Sequence, residues 1–184
     1  MTKIVRVPKK RRRQNITDYK ARLILLKSEA IRIVIRRTNR YIIIQAVESK
    51  NAQDKIIFGL TSKSLLEEGW NEKMTGNLKS IPACYLAGIL FAKKIDANKR
   101  YIVDLGMARN IQGSRIFATV KGLIDGGLKL NADAKAFPSK ESLEGENTKE
   151  ETKEIVKKIK EKLLGKTDSK SIEKKEVKNK GSKK

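Results

Sequence analysis

Residues 31–47, IRIVIRRTNRYIIIQAV, decide the fold. The runs IRIVIRR and YIIIQAV alternate β-branched residues with other types, a period of two that suits strands, and Thr38 and Asn39 join them. Asn tolerates the left-handed conformation that a tight hairpin turn needs. A two-residue turn there sets Ile35 opposite Ile42 and Ile33 opposite Ile44 on a core face. Arg36 then falls opposite Tyr41, and Arg32 opposite Gln45, on a solvated face. After a polar loop at 49–54, KIIFGLT predicts a third strand with Ile56, Phe58 and Leu60 pointing inward. SKSLLEEGW follows as a short helix or turn ending near Gly69.

Outward from the hairpin, IPACYLAGILFAKKI after Ser80 is apolar nearly all round, with Pro82 tolerable only in a first turn, so a helix buried against the sheet is expected. RYIVDLG is too short and β-rich for a helix and reads as the last strand. GSRIFATVKGLIDGGLKL places Ile116, Val120, Leu123, Ile124 and Leu128 at helical spacing, closed by Gly126 and Gly127. The order βββαβα makes the chain α/β with a mixed sheet.

At the N-terminus, Thr17 can cap a helix running through DYKARLILLK, and the charge run with Pro8 predicts an extended arm before it. At the C-terminus, TKEETKEIVKKIKEKLLG opens with Thr148 and Glu151 in capping-box spacing. It stripes Ile155, Ile159 and Leu163 on one face and stops at Gly165. KTDSKSIEKKEVKNKGSKK has little to bury and reads as a disordered tail. The expected organisation is a basic arm over 1–16, an α/β body over 17–138, a linker with an amphipathic helix over 139–165, and a lysine-rich tail over 166–184.

The 184 residues carry a net charge of +22, and self-repulsion of that size points to a polyanionic partner. Residues 1–27 hold ten Lys/Arg against one Asp, and every Arg lies at or before Arg115. Since the planar guanidinium fork suits phosphates and base edges, the nucleic-acid-binding surface is expected in the front part of the chain. No apolar run approaches a membrane span, and none follows the basic N-terminus as in a signal peptide; the expectation is a protein that stays inside the cell. A lone Cys84 in an apolar run reads as a buried, inert thiol.

Three constellations could bind RNA. The first is the arm, Lys9, Lys10, Arg11, Arg12 and Arg13, which could neutralise phosphates or serve as an import-like signal. The second is the outer hairpin face, Arg32, Arg36, Tyr41 and Gln45 with Arg40 at the turn, where a ring could stack on an unpaired base or the face could be merely solvated. The third is the loop LGMARNIQGSR, where Gly113 and Ser114 would leave free N–H groups at a helix N-terminus beside Arg115 and Arg109. Lys121, two turns on, could extend it. With no His and one Cys, triads and most zinc sites are excluded. Asp104 and Asp125 keep a magnesium-dependent nuclease formally open, and a chromatin-like DNA-coating protein is the other alternative.

The blocks KKRRRQNITDY.AR, RIVIRRTNRYIIIQA, GN...PACYLAGILFA and VDLGMARNIQGSRIFATVKGLIDGGL....AKAFP closely resemble, in order and spacing over residues 4–138, the archaeal and eukaryotic form of a large-subunit ribosomal protein family. It is the family that binds 5S ribosomal RNA, universal family eighteen. The resemblance implies ribonuclease-H-like topology, no catalysis, no cofactor and a place in the large subunit of the cytoplasmic ribosome. It further implies 5S rRNA, large-subunit rRNA and neighbouring large-subunit proteins as partners, with 5S rRNA anchored in the central protuberance and no membrane or small-molecule substrate. RNA contacts carried over from the family fall on Lys9 to Arg13, on the turn Thr38, Asn39 and Arg40, and on Gly113, Ser114 and Arg115; Tyr19 and Arg22, just after the arm, are expected RNA contacts as well. Pro82 stands where the family often has Ala, and nothing after Pro138 aligns with it.

Overall fold

The computed structural model describes residues 7–148 and 150–180, with 73–75 and 166–180 described by backbone alone. In chain order the elements are α1 (Lys10–Arg13), α2 (Tyr19–Lys27), β1 (Ile31–Arg37), β2 (Ile42–Lys50), β3 (Gln53–Thr61), α3 (Ile81–Lys94), β4 (Tyr101–Asp104), α4 (Arg115–Asp125), α5 (Lys140–Glu144) and α6 (Glu150–Lys180). The sheet runs β3-β2-β1-β4. β1 pairs antiparallel with β2 and parallel with β4, so the sheet is mixed, as expected.

The hairpin register differs from the expected one by two residues. Ile35 faces Ile44, and Ile33 faces Ala46. The turn spans Thr38–Tyr41 because the Thr38 hydroxyl accepts from the Tyr41 N–H at 3.0 Å and donates to its carbonyl at 2.7 Å, which closes a four-residue loop. An even slip leaves every side chain on its expected face, and Ile33, Ile35, Ile42 and Ile44 are all fully buried. The polar loop expected at 49–54 is instead strand, closed by a tight turn at Asn51 and Ala52, both at positive φ. A bulge at Ala46/Val47 lets Phe58 and Leu60 face the core but turns Ile56 out into solvent, correcting its inward assignment.

α3 starts on the N-cap Ser80 with Pro82 in its first turn, and every residue from Pro82 to Ala92 is buried. One side meets the sheet, where Phe58 and Phe91 rings lie 5.3 Å apart, and α4, α5 and α6 pack around the rest. Two glycines set the α3–α4 approach. A Cβ on Gly122 would overlap the Tyr85 carbonyl, and one on Gly88 would overlap the Thr119 carbonyl, so the helix backbones touch directly. Cys84 is fully buried there, and burial pushes its thiol up to about 12, which keeps it protonated and inert.

The two ends depart further from expectation. α2 is capped by Asp18, whose carboxylate accepts from the N–H groups of Lys20 and Ala21. The Thr17 hydroxyl is occupied by Arg11 Nε at 2.9 Å, so Thr17 is not the cap. Within the arm, residues 10–13 form a helical turn rather than extended chain, and residues 1–6 lie outside the described residues. α6 runs through Gly165 to Lys180, so neither the stop at Gly165 nor a structureless segment over 166–180 is observed. Its buried stripe is Thr152, Val156, Ile159 and Leu163, with Ile155 only half-buried. α6 begins at Glu150, and the Thr148 hydroxyl, expected to pair with Glu151 in a capping box, donates to the Gly145 carbonyl.

Candidate nucleic-acid interface

The outer face of the sheet is a network of compensated charge rather than an open platform. Arg32, on β1, is 2% exposed. It donates to Asp104 at 3.0 Å, to Ser49 at 2.8 Å and to Asp54 at 2.7 Å, and Asp54 also takes Arg22 of α2 at 2.9 Å. Burial alone would raise the Asp54 pKa, but hydrogen bonds from Ser49, Arg22 and Arg32 outweigh it and hold the carboxyl below its ordinary value. Arg36 donates to the Asp104 carboxylate at 3.0 Å and to its carbonyl at 2.7 Å. Arg22, Arg32 and Arg36 therefore tie α2, both hairpins and the end of β4 together. The assignment of Arg32 to a solvated face is corrected by this burial. Tyr41 is corrected too: it sits in the turn, partly buried against the core with the Lys63 ammonium 4.9 Å from its ring centre. Gln45 is half-buried opposite Gly59, while Asn39 and Arg40 are exposed at the hairpin tip and Thr38 is partly buried beneath them.

Uncompensated cations gather at the carboxyl ends of β1 and β4. A cleft of about 680 Å³ is lined there by Ile16, Ile35, Arg36, Arg37, Leu105, Met107, Ala108, Arg109, Ile111, Ser114, Arg115 and Ile116. None of these is acidic. Arg37, Arg109 and Arg115 make no ion pair among the described residues. Arg37 escaped the sequence reading because it shares the face of Ile33 and Ile35; beyond the end of the core, that face opens toward the start of α4. The loop that carries Arg109 leaves β4 through Gly106, at φ +62°, whose N–H donates to the Asp104 carboxylate at 2.8 Å. A side chain there would be strained at that φ, and its Cβ, 2.7 Å from the Arg36 guanidinium, would push that group off Asp104.

The free N–H groups expected at Gly113 and Ser114 are taken: Gly113 N–H donates to Ala136 O and Ser114 N–H to Ile111 O. Ser114 occupies the N-cap of α4 yet its hydroxyl caps nothing, and that oxygen is buried without a partner. Arg115 begins α4 beside it. Lys121, two turns on, pairs with Asp125 at 2.8 Å and lies 5.6 Å from the Phe137 ring centre, outside the lining of the cleft. Along the arm, Lys9, Lys10, Arg11, Arg12 and Arg13 are all exposed, and Lys9 lies 4.8 Å from the Tyr19 ring centre. Asp104 is taken by two arginines, and Asp125, at the far end of α4, accepts from Tyr85 and Lys121. The described residues hold no group of three metal-ligating side chains, and no described helix is long and apolar enough to cross a membrane.

A mixed α/β body with three uncompensated arginines in one acid-free cleft and a cationic arm beside it has the make-up of a protein that meets a polyanion. Residues 3–101 match the family described as ribosomal large subunit proteins 60S L5, and 50S L18. The chain is 39% identical over 140 residues to large ribosomal subunit protein uL18 of Methanoregula boonei, covering 75% of this chain and 78% of the relative. It is 42% identical over 143 residues to uL18 of Picrophilus torridus, covering 77% and 87%, and 39% identical over 141 residues to that of Korarchaeum cryptofilum, covering 75% and 70%. The chain belongs to this family of large-subunit ribosomal proteins, the one its sequence blocks resemble.

Proposed function

We propose that the protein binds 5S rRNA and helps anchor it to large-subunit rRNA in the central protuberance, as a non-catalytic constituent of the cytoplasmic ribosome's large subunit. The observation that carries this reading is the acid-free cleft with Arg37, Arg109 and Arg115 in its walls. Arginines left without carboxylates are free to take phosphates, whose oxygens match the planar guanidinium fork. Residues 17–138 form the RNA-binding body, of ribonuclease-H-like topology, and the arm before it extends the interface along the RNA backbone. Asn39 and Arg40 at the hairpin tip, with Tyr19 beside the arm, reach the RNA at its edge. The extension after 138 faces neighbouring ribosomal proteins or rRNA.

The test is the salt dependence of binding to 5S rRNA, alone and together with large-subunit rRNA. Replacing Arg11, Arg12 and Arg13 with Ala should flatten the slope of log K against log salt by about 0.7 to 0.9 for each phosphate that is no longer neutralised. Arg115→Glu should reduce affinity sharply, because it puts an anion where the phosphate sits. Slopes and affinities equal to wild type in all of these variants, on both RNAs, would sink the reading.

A further inference from the structure

The cleft between the arm and the start of α4 offers more than charge. Ile16, Met107 and Ile111, from the arm and the two ends of the loop, line it while 52%, 51% and 57% exposed. A duplex backbone crossing a basic surface presents phosphates and riboses, which need cations and hydrogen-bonding groups but leave apolar side chains uncovered. An unpaired base brings two apolar faces. The cleft's volume, about 680 Å³, lies within the roughly 300 to 1,000 Å³ of sites that enclose small ligands. Guanidinium planes and a methionine thioether cover a base without an aromatic ring. The neighbouring cleft under α2 makes the contrast: it too is lined by arginines, Arg11, Arg22 and Arg36, but Asp18 and Asp104 stand among them.

We propose that the acid-free cleft seats a single unpaired nucleotide of ribosomal RNA, its base against Ile16, Met107 and Ile111 and its phosphate on Arg109 and Arg115. The inference rests on the reading of the chain as an rRNA-binding protein, and the experiment separates the two. Wild type and the double variant Met107→Ser, Ile111→Ser are titrated with 5S rRNA, alone and with large-subunit rRNA, across a range of salt. Base-specific chemical probing of each complex accompanies the titration. The variant should bind about five- to fiftyfold more weakly at every salt concentration with an unchanged slope, because stacking is removed and every cation is kept. One unpaired base protected by wild type should regain its reactivity. Both positions are half-exposed, so the melting temperature should hold; if the double variant does not fold, Ile111→Ser alone gives the same readout. Equal affinity and equal protection in variant and wild type would overturn the seated nucleotide while leaving rRNA binding intact. Failure of wild type to bind either RNA would overturn the proposed function and the inference with it.

Discussion

Arg32 and Asp104 stand 3.0 Å apart with side chains 3% and 9% exposed, so neither charge has water to fall back on. The Asp104 carboxylate also accepts from Arg36 and from the Gly106 N–H, which makes it the joint between β1, β4 and the loop that carries Arg109. Asp104→Asn keeps the shape and removes the charge. It removes one of the two carboxylates that compensate the buried Arg32, Asp54 remaining at 2.7 Å, so the loss should stay at or below the about 3 to 5 kcal/mol of a buried pair broken from one side. Urea unfolding should register a loss of that order. The same variant should loosen the turn at Gly106 and so weaken RNA binding in the cleft, an effect visible in binding measured where the variant is still folded. Arg40→Ala, at the exposed hairpin tip, should leave stability within about 0.5 kcal/mol of wild type. A stability loss at Arg40 matching that at Asp104 would mean the network is not where the rigidity lies.

At the scale of elements, α3 and α4 cross through Gly88 and Gly122, and α6 passes through Gly165 with nothing within 4 Å of a Cβ built there. The same substitution should therefore have opposite signs in the two places. Gly122→Ala drives a methyl into the Tyr85 carbonyl and should destabilise the fold by about 1 to 3 kcal/mol or more, because backbone cannot step aside as a side chain can. Gly165→Ala should be neutral or stabilise by up to about 1 kcal/mol, since Ala is the better helix former and nothing obstructs it. Thermal unfolding of the two variants checks both. If Gly165→Ala destabilises, α6 ends at a left-handed glycine instead of continuing.

For the molecule as a whole, the charge network links stability to pH. Asp54 has a folded-state pKa below its ordinary 3.8, because the hydrogen bonds from Ser49, Arg22 and Arg32 outweigh the effect of burial. Glu144 is lowered as well, by its bond to Lys160. A carboxyl depressed in this way is charged in both states above its unfolded value, so its contribution is then complete. As pH falls through the lowered folded value, the native chain takes up the proton and the contribution is gone. Stability should be flat from pH 7 to about 5 and decline below about 4, with the decline shallower in Asp54→Asn. Thermal melts across that range decide it: an equally steep acid limb in the variant would show that Asp54 does not carry the effect.

The sequence by itself determined the order of strands and helices in the body, which face of the hairpin is core, and the family. Alternation of period two sorts Ile33, Ile35, Ile42 and Ile44 onto one side whatever the register, and four blocks in order identify the relatives. Register was not legible, because alternation survives a slip of two and the Thr38 hydroxyl, not hydropathy, closes the turn. Nor was the fate of the arginines. Arg32 looked solvated and Arg37 was assigned no role, yet Asp54 and Asp104, the latter 72 residues further along the chain, neutralise the first. The second runs past the end of the core into the cleft at the start of α4. Charge compensation and cleft formation depend on which distant segments become neighbours, and only the packed tertiary structure decides that.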